Sequence, residues 1–214
     1  GDVLEELNIK INLEPNEIED QINKNNFGFM FAPNYHSAMK FVGPTRKKIG
    51  KRTIFNMIGP LSSPALVKKQ VVGVFDKKLL SIFANALKEL EITNAWIVNS
   101  EDGLDEISPY ATTNVCQLTN GEISNMKIDP TELKINTKGF DYILGKDADY
   151  NSQKIIDIFK GDDNDFSIAV CLNTAAGLVV SGNKNNFKEA YQEARDHILS
   201  SRAFEHLTKI QNGT

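Results

Sequence analysis

Asp105 and Glu106 are adjacent carboxylates that close an acidic run, Glu101-Asp102-Gly103-Leu104-Asp105-Glu106. On a regular backbone adjacent side chains diverge, but a bent loop can bring both to one or two metal ions. Hard carboxylate oxygens with open positions suit Mg²⁺ held mainly through substrate phosphates. The run follows directly on a strand-like segment, Ala95 to Asn99. In parallel α/β sheets, ligands bind beyond the carboxyl ends of strands. The pattern D-G-x-D lacks the later ligands of an EF-hand loop. Taken alone, these residues also fit a plain exposed acidic turn.

A second constellation runs from Phe27 to Pro64, FGFMFAPNYHSAMKFVGPTRKKIGKRTIFNMIGPLSSP. His36 opens a predicted helix, and Arg46 lies ten residues further on. That spacing is close to three turns, so both can share one side. A guanidinium holds a carboxylate by two parallel bonds, and apolar neighbours favour an aromatic acid. Lys47 and Lys48 read as solvated surface, and Met30, Phe31 and Phe41 as core. Asn34, Gly59 and Pro60 fit either a pocket wall or ordinary turns. His197 and His206 have no ligand-type partners at useful spacing and read as structural. No G-x-S-x-G, H-E-x-x-H or P-loop lysine motif occurs, so nucleophilic Ser-His-Asp catalysis has no support.

The elements that must position these residues follow from pattern. Asp2 to Leu7 reads as the end of a helix whose beginning is missing, which suggests an N-terminal truncation. Pro15 suits the first position of a short helix, with Ile18 and Ile22 one turn apart. Ala38 to Ile49 and Thr53 to Ile58 look helical, ended by Gly50 and by Gly59-Pro60. Gln70 to Phe75 is a buried-strand run. Lys77 to Leu90 is an amphipathic helix with Leu79, Phe83, Ala86, Leu87 and Leu90 on one face. With Ala95 to Asn99 this makes a βαβ unit and points to a parallel sheet. Thr113 to Leu118 and Glu122 to Ile128 flank Asn120-Gly121, a hairpin signal. Asn151 to Phe159 is helical. Ser167 to Val180 is helical by its length, and Phe187 to Leu199 and Arg202 to Ile210 are closing helices.

Composition bounds the function. The 214 residues, 41% hydrophobic and 24% charged, suit one ordinary α/β domain or a domain with a small satellite. Cys116 and Cys171 stand far apart, which suits a reducing compartment and excludes a CxxC site or a disulfide scaffold. The apolar run Ile168 to Val180 is too short for a bilayer and is interrupted by Asn173 and Thr174. No signal peptide opens the chain, and the expected location is the cytoplasm. The net charge of −4 hides an asymmetry. From Gln21 to Phe75 there is no Asp or Glu, while Lys24, Lys40, Arg46, Lys47, Lys48, Lys51, Arg52, Lys68 and Lys69 give +9, leaving −13 elsewhere. Such segregation concentrates anions; a solvated basic face is the alternative.

The stretch FGFMFAPNYHSAMKFVGPTRKKIGKRTIFNMIGPLSSPA followed by EDGLDEIS, in this order and separation, resembles the anthranilate phosphoribosyltransferases of tryptophan biosynthesis. The opening GDVLEELNIKI is similar to the segment directly before it in that family, and NTAAGLVVSG fits a later helix. The resemblance runs across essentially the whole chain; its two long motifs are specific and its C-terminal third is generic. It implies transfer of the phosphoribosyl group of phosphoribosyl pyrophosphate to the amino group of anthranilate, with Mg²⁺ required. It implies Asp105 and Glu106 as metal ligands, Arg46 as the clamp on the anthranilate carboxylate, and His36, Met39, Gly43 and Pro60 along the anthranilate pocket or its entry. It assigns no catalytic nucleophile. The implied fold is α/β, a mainly parallel sheet flanked by helices of the nucleoside phosphorylase/phosphoribosyltransferase C-terminal type, with a helical segment from a small α domain. Residues 1–28 and 67–214 would form the phosphoribosyl-binding domain and residues 29–66 the helical segment contributing the anthranilate site.

The resemblance also has gaps. The family's helical domain, Gly-rich pyrophosphate loop and Lys/His/Gly-rich segment lie upstream of the opening segment and are absent here. Ser62-Ser63 stand where Thr-Asn is usual, and Gly43 where Ala is common. The 214 residues alone are therefore expected to bind phosphoribosyl pyrophosphate poorly and not to turn over. A homodimer is expected of the full-length enzyme, with no membrane or nucleic-acid partner. The other two readings are a pyrimidine nucleoside phosphorylase, which the Asp105-Glu106 pair disfavours, and a non-enzymatic relative binding nucleic acid through the +9 stretch.

Overall fold

The computed structural model describes residues 1–35, 48 and 57–213. Among them the helices are α1 (Asp2–Glu6), α2 (Pro15–Asn25), α3 (Ala32–Tyr35), α4 (Leu79–Glu89), α5 (Ala148–Phe159), α6 (Asp165–Ser181), α7 (Phe187–Leu199) and α8 (Arg202–Asn212). The strands are β1 (Lys69–Gly73), β2 (Asn94–Ser100), β3 (Thr113–Thr119) and β4 (Glu122–Ile128), in the order β1-β2-β3-β4. The fold is α/β, a four-stranded sheet flanked by helices. The helices expected at Ala38 to Ile49 and Thr53 to Ile58 fall almost wholly outside the described residues.

The parallel relation holds for β1 and β2, where Val72 pairs with Ile97. It arises because α4 carries the chain back over one face between them. The other two pairings among the described strands are antiparallel, so the sheet is mixed rather than mainly parallel. The reason is local. Only a loop without a helix links β2 to β3. Between β3 and β4, Asn120 and Gly121 take φ of 49° and 85°, the two left-handed positions of a tight hairpin turn.

Both faces are buried along the central strands β2 and β3, which fits the apolar run of β2, whereas β1 is only partly covered and most of β4 is exposed or half-buried. Trp96, Val98 and Val115 point into a core made with Ile168, Leu172 and Ala176 of α6 and Ala190, Ala194 and Ile198 of α7. Val72, Ala95, Ile97 and Leu118 point the other way, onto Leu80, Phe83, Ala84 and Leu87 of α4. The buried stripe of α4 thus keeps Phe83 and Leu87, with Leu79 partly buried against it, and adds Leu80 and Ala84, while Ala86 and Leu90 stand outside it. Leu90 lies past the helix end, where Glu91 turns at φ 57°, and its side chain is half exposed.

Helix α6 is apolar nearly all round because it is packed on several sides. Its start is fixed by a reciprocal cap: Ser167 N donates to Asn164 Oδ1 at 3.1 Å, and Asn164 N donates to Ser167 Oγ at 3.0 Å. A third cluster joins Leu7 and Ile9 to Leu207 and Ile210 of α8. Gln211 Nε2 donates to Leu7 O at 2.7 Å, and His206 Nε2 lies 2.6 Å from Asn25 O, the structural role expected of that histidine.

Arg195 of α7 donates through both terminal nitrogens to Asp163, at 2.5 and 2.7 Å, and ties α7 to the approach of α6. These hydrogen bonds hold the Asp163 carboxyl below the usual carboxylate range. A carboxylate so depressed adds stability above its unfolded value and loses it as pH falls through its folded value. Because Asp163 is half exposed, Asp163→Asn is expected to cost roughly 0.5–1 kcal/mol at pH 7. Urea unfolding should show the difference from wild type narrowing below about pH 4. A gap that stays constant from pH 7 to pH 3 would contradict the ion-pair account.

Candidate functional site

A cleft of about 650 Å³ opens at the carboxyl ends of β1 and β2. Its wall includes Gly73 and Val98 of these strands, Asp105 and Glu106 of the following loop, and Phe166 and Asn173 of α6. The acidic run expected after this strand thus lines a cleft at the carboxyl ends of the parallel pair.

The loop, residues 101–112, is fixed by backbone hydrogen bonds and by the hydroxyls of Ser108 and of Ser100 and Thr113 at the flanking strand ends. Gly103 N donates back to Ser100 O at 3.0 Å, and Ser100 N to Leu104 O at 2.9 Å. Asp102 accepts from Leu104 N at 3.3 Å and from Ser108 Oγ at 2.5 Å, so it shapes the turn. The fully buried Ser108 and Thr113 meet Ser100: Ser100 Oγ lies 2.6 Å from Thr113 Oγ1, and Ser108 N donates to both oxygens at 3.2 and 3.1 Å. Ser100 Oγ also donates to Glu106 O at 2.8 Å.

Two further contacts set the carboxylate pair. A Cβ at Gly73 would fall 1.6 Å from Asp105 O. The Asp105 backbone therefore rests against β1 where no side chain can stand. From the opposite side, Asn173 Oδ1 accepts from Ile107 N at 2.9 Å, and Asn173 Nδ2 donates to Ile107 O at 3.2 Å and to Ala169 O at 2.9 Å. Ile107 itself is buried in the core beside Trp96 and Leu172.

The side chains of Asp105 and Glu106 remain solvent-accessible on the cleft wall. Burial of its surroundings, and then the neighbouring Asp105 charge, raise the Glu106 carboxyl above its ordinary pKa. Both causes disfavour two free negative charges there. Among the described residues no three His, Cys, Asp or Glu side chains gather to hold a metal by themselves. Two hard carboxylates fit Mg²⁺ only if substrate and water oxygens complete its shell.

Asp165, at the start of α6, supports the far rim of the cleft. Its buried carboxylate accepts from Tyr110 Oη at 2.9 Å, Lys138 N at 2.8 Å and Gly139 N at 3.2 Å. Burial first, then the bond to Asp165, pushes the Tyr110 phenol well above its ordinary value. Ile143, just beyond this anchored segment, lines the cleft. The two cysteines are free and buried, and burial lifts the Cys171 thiol to about 11, so neither supplies ready thiolate chemistry.

The other residues of the expected site stand differently. His36, Met39, Gly43 and Arg46 lie outside the described residues. Pro60 is exposed on a short 3₁₀ turn, Gly59–Leu61, and lines a groove with Leu66, Leu87 and Leu90 that is separate from the acidic cleft. Of the basic stretch, Lys68 donates to Glu91 O at 3.1 Å and Lys69 to Ser181 O at 2.5 Å.

The sequence matches the glycosyl transferase family, a/b domain, over residues 1–204. The chain belongs to this family. Among curated relatives of this glycosyl transferase chain, an anthranilate phosphoribosyltransferase from Pelagibacter ubique is 71% identical over 212 residues, which cover 99% of the chain and 64% of that protein. A solved anthranilate phosphoribosyltransferase from Thermus thermophilus superposes with a TM-score of 0.91 at 29% identity, covering 99% of the chain and 63% of that structure. One from Saccharomyces cerevisiae, in complex with 4-fluoroanthranilate, gives 0.89 at 25% identity, with 99% and 62% covered. The chain thus spans about 62–64% of the length of the relatives it matches.

Residues 73, 100 and 173 were not singled out by type and spacing as parts of the site. A Gly inside a strand pattern does signal close backbone approach. A polar residue inside an apolar helical run, such as Asn173, equally marks a buried hydrogen-bonding task. Gly73→Ala is expected to displace the Asp105 backbone and to cost about 2 kcal/mol, the scale of overpacking a fixed contact. Urea unfolding measures the cost, and backbone chemical shifts across residues 104–107 report the displacement. Wild-type stability with unmoved shifts would contradict the contact.

Proposed function

We propose that the full-length protein transfers the phosphoribosyl group of phosphoribosyl pyrophosphate to anthranilate, releasing pyrophosphate. The observation that carries this reading is the Asp105–Glu106 pair on a cleft at the carboxyl ends of a parallel strand pair. The identity to a protein named for this reaction supports it, as does a structural neighbour solved with an anthranilate analogue.

Asp105 and Glu106 would hold Mg²⁺ through its substrate-bound shell. When bound, the ion supplies charge stabilisation for the departing pyrophosphate. The residues of the chain bind and orient. In this reading the anomeric carbon lies in the cleft beyond β1 and β2. Arg46 would grip the anthranilate carboxylate by two parallel bonds, with His36, Met39, Gly43 and Pro60 along the pocket or its entry. The anthranilate nitrogen then bonds to the anomeric carbon as the bond to pyrophosphate oxygen breaks, and the amine proton passes to solvent. An aromatic amine carries almost no charge before attack, so the proposal assigns no general base, and holding both reactants together supplies much of the acceleration. In this reading residues 1–28 and 67–214 form the phosphoribosyl-binding unit and residues 29–66 contribute the anthranilate site. The full-length protein is read as a homodimer in the cytoplasm.

The test is loss of anthranilate fluorescence when the full-length gene product meets phosphoribosyl pyrophosphate and Mg²⁺. Turnover that stops on chelating the metal is expected; no turnover would overturn the reading. Arg46→Ala should raise the anthranilate KM at least 10-fold, the scale of a lost charge-assisted pair, and move the phosphoribosyl pyrophosphate KM far less. Equal effects on both substrates would contradict the clamp.

A further inference from the structure

We infer that Asn173 of α6 is a positioning residue for the metal-binding carboxylates, acting through the backbone of Ile107. The inference rests on the proposed function and adds to it a residue that never touches the reacting atoms.

The contact has an unusual form for a side chain. A carboxamide offers one acceptor and one donor side by side, the same pair a neighbouring strand would offer. Asn173 presents both to one residue, accepting from Ile107 N and donating to Ile107 O. Its second N–H goes to Ala169 O, one turn back on the same helix. Three bonds fix the amide, one to its own helix and two to Ile107, so it ties the loop backbone to α6.

Ile107 follows Glu106 directly, and its buried side chain is already locked in the core. Anchoring the side chain leaves the backbone free to rotate about it; the two amide bonds remove that freedom. The direction in which Glu106 leaves the chain is then decided by α6. Ser100 Oγ holds Glu106 O from the sheet side, and the absent side chain of Gly73 seats Asp105 O from below. The carboxylates are thus clamped between β1, β2 and α6, and Asn173 is the only helical member of that clamp among the described residues.

A loop carrying two adjacent like charges relaxes by turning the carboxylates apart once one of these contacts is removed. Loss of supporting hydrogen bonds around a metal site typically costs 10–100-fold in metal affinity. Replacing Asn173 should therefore weaken the metal without touching it.

The experiment compares the full-length wild type with Asn173→Ala, Asp105→Asn and Asn186→Ala. Asn186 caps α7 far from the cleft, accepting from Lys188 N and Glu189 N, so its loss lowers stability alone. Mn²⁺ affinity in the presence of inorganic pyrophosphate is read by electron paramagnetic resonance, and hydrogen exchange is followed across residues 104–108. Asn173→Ala is expected to weaken Mn²⁺ about 10-fold and to speed exchange at Ile107, while Asn186→Ala changes neither. If Asn173→Ala binds Mn²⁺ like Asn186→Ala while Asp105→Asn does not, the positioning role is wrong and the proposed function stands. If Mn²⁺ affinity is indifferent to Asp105→Asn, the metal role fails and the inference with it. Should Asn173→Ala not fold, Ser100→Ala removes the bond to Glu106 O from the opposite side and is expected to weaken Mn²⁺ in the same direction; unchanged affinity there overturns the clamp.

Discussion

The carbonyl of Asp105 occupies the space a side chain at residue 73 would fill, and the cleft is organised around that contact. A backbone oxygen that close to a strand can stay only if the strand carries glycine and the loop is held down elsewhere. The hydroxyl network of Ser100, Ser108 and Thr113 and the amide of Asn173 do the holding. Two adjacent carboxylates, which a regular strand would splay, then face one cleft. Their mutual repulsion is supported by the surrounding hydrogen bonds rather than relieved by movement.

Helix α6 connects this site to the rest of the molecule. Its body is buried against both β2 and α7. Asn173 faces the acidic loop, and Asp165 at its start gathers Tyr110 and the backbone of residues 138 and 139. The bidentate pair of Asp163 and Arg195 fastens the approach to α6 onto α7. Packing of one apolar helix therefore sets two walls of the cleft at once. That explains why polar residues interrupt a segment otherwise made of Ile, Val, Leu and Ala.

Much of the framework was legible because local rules and tertiary packing agree. The Asn120-Gly121 hairpin, the strand–helix–strand unit and the length of α6 follow from turn chemistry and periodicity. The mixed character of the sheet was not legible, because a parallel unit says nothing about strands added beyond it. The stripe of α4 was misplaced at Leu90 because the helix ends one residue earlier, and periodicity carries no mark of that end. In the site, the carboxylates announce themselves by residue type. Gly73, Ser100 and Asn173 do not, since their task is defined by neighbours distant in sequence. Ser100 is a strand residue like any other until Glu106 folds back over it.

The account turns on whether the acidic pair joins a metal to the pyrophosphate of the substrate. Calorimetric titration of the full-length protein with phosphoribosyl pyrophosphate, with and without Mg²⁺, addresses this in wild type and in the double variant Asp105→Asn/Glu106→Gln. Tight binding that needs Mg²⁺ in wild type and is lost in the double variant is the expected result. Binding that ignores Mg²⁺, or that survives loss of both carboxylates, would contradict it.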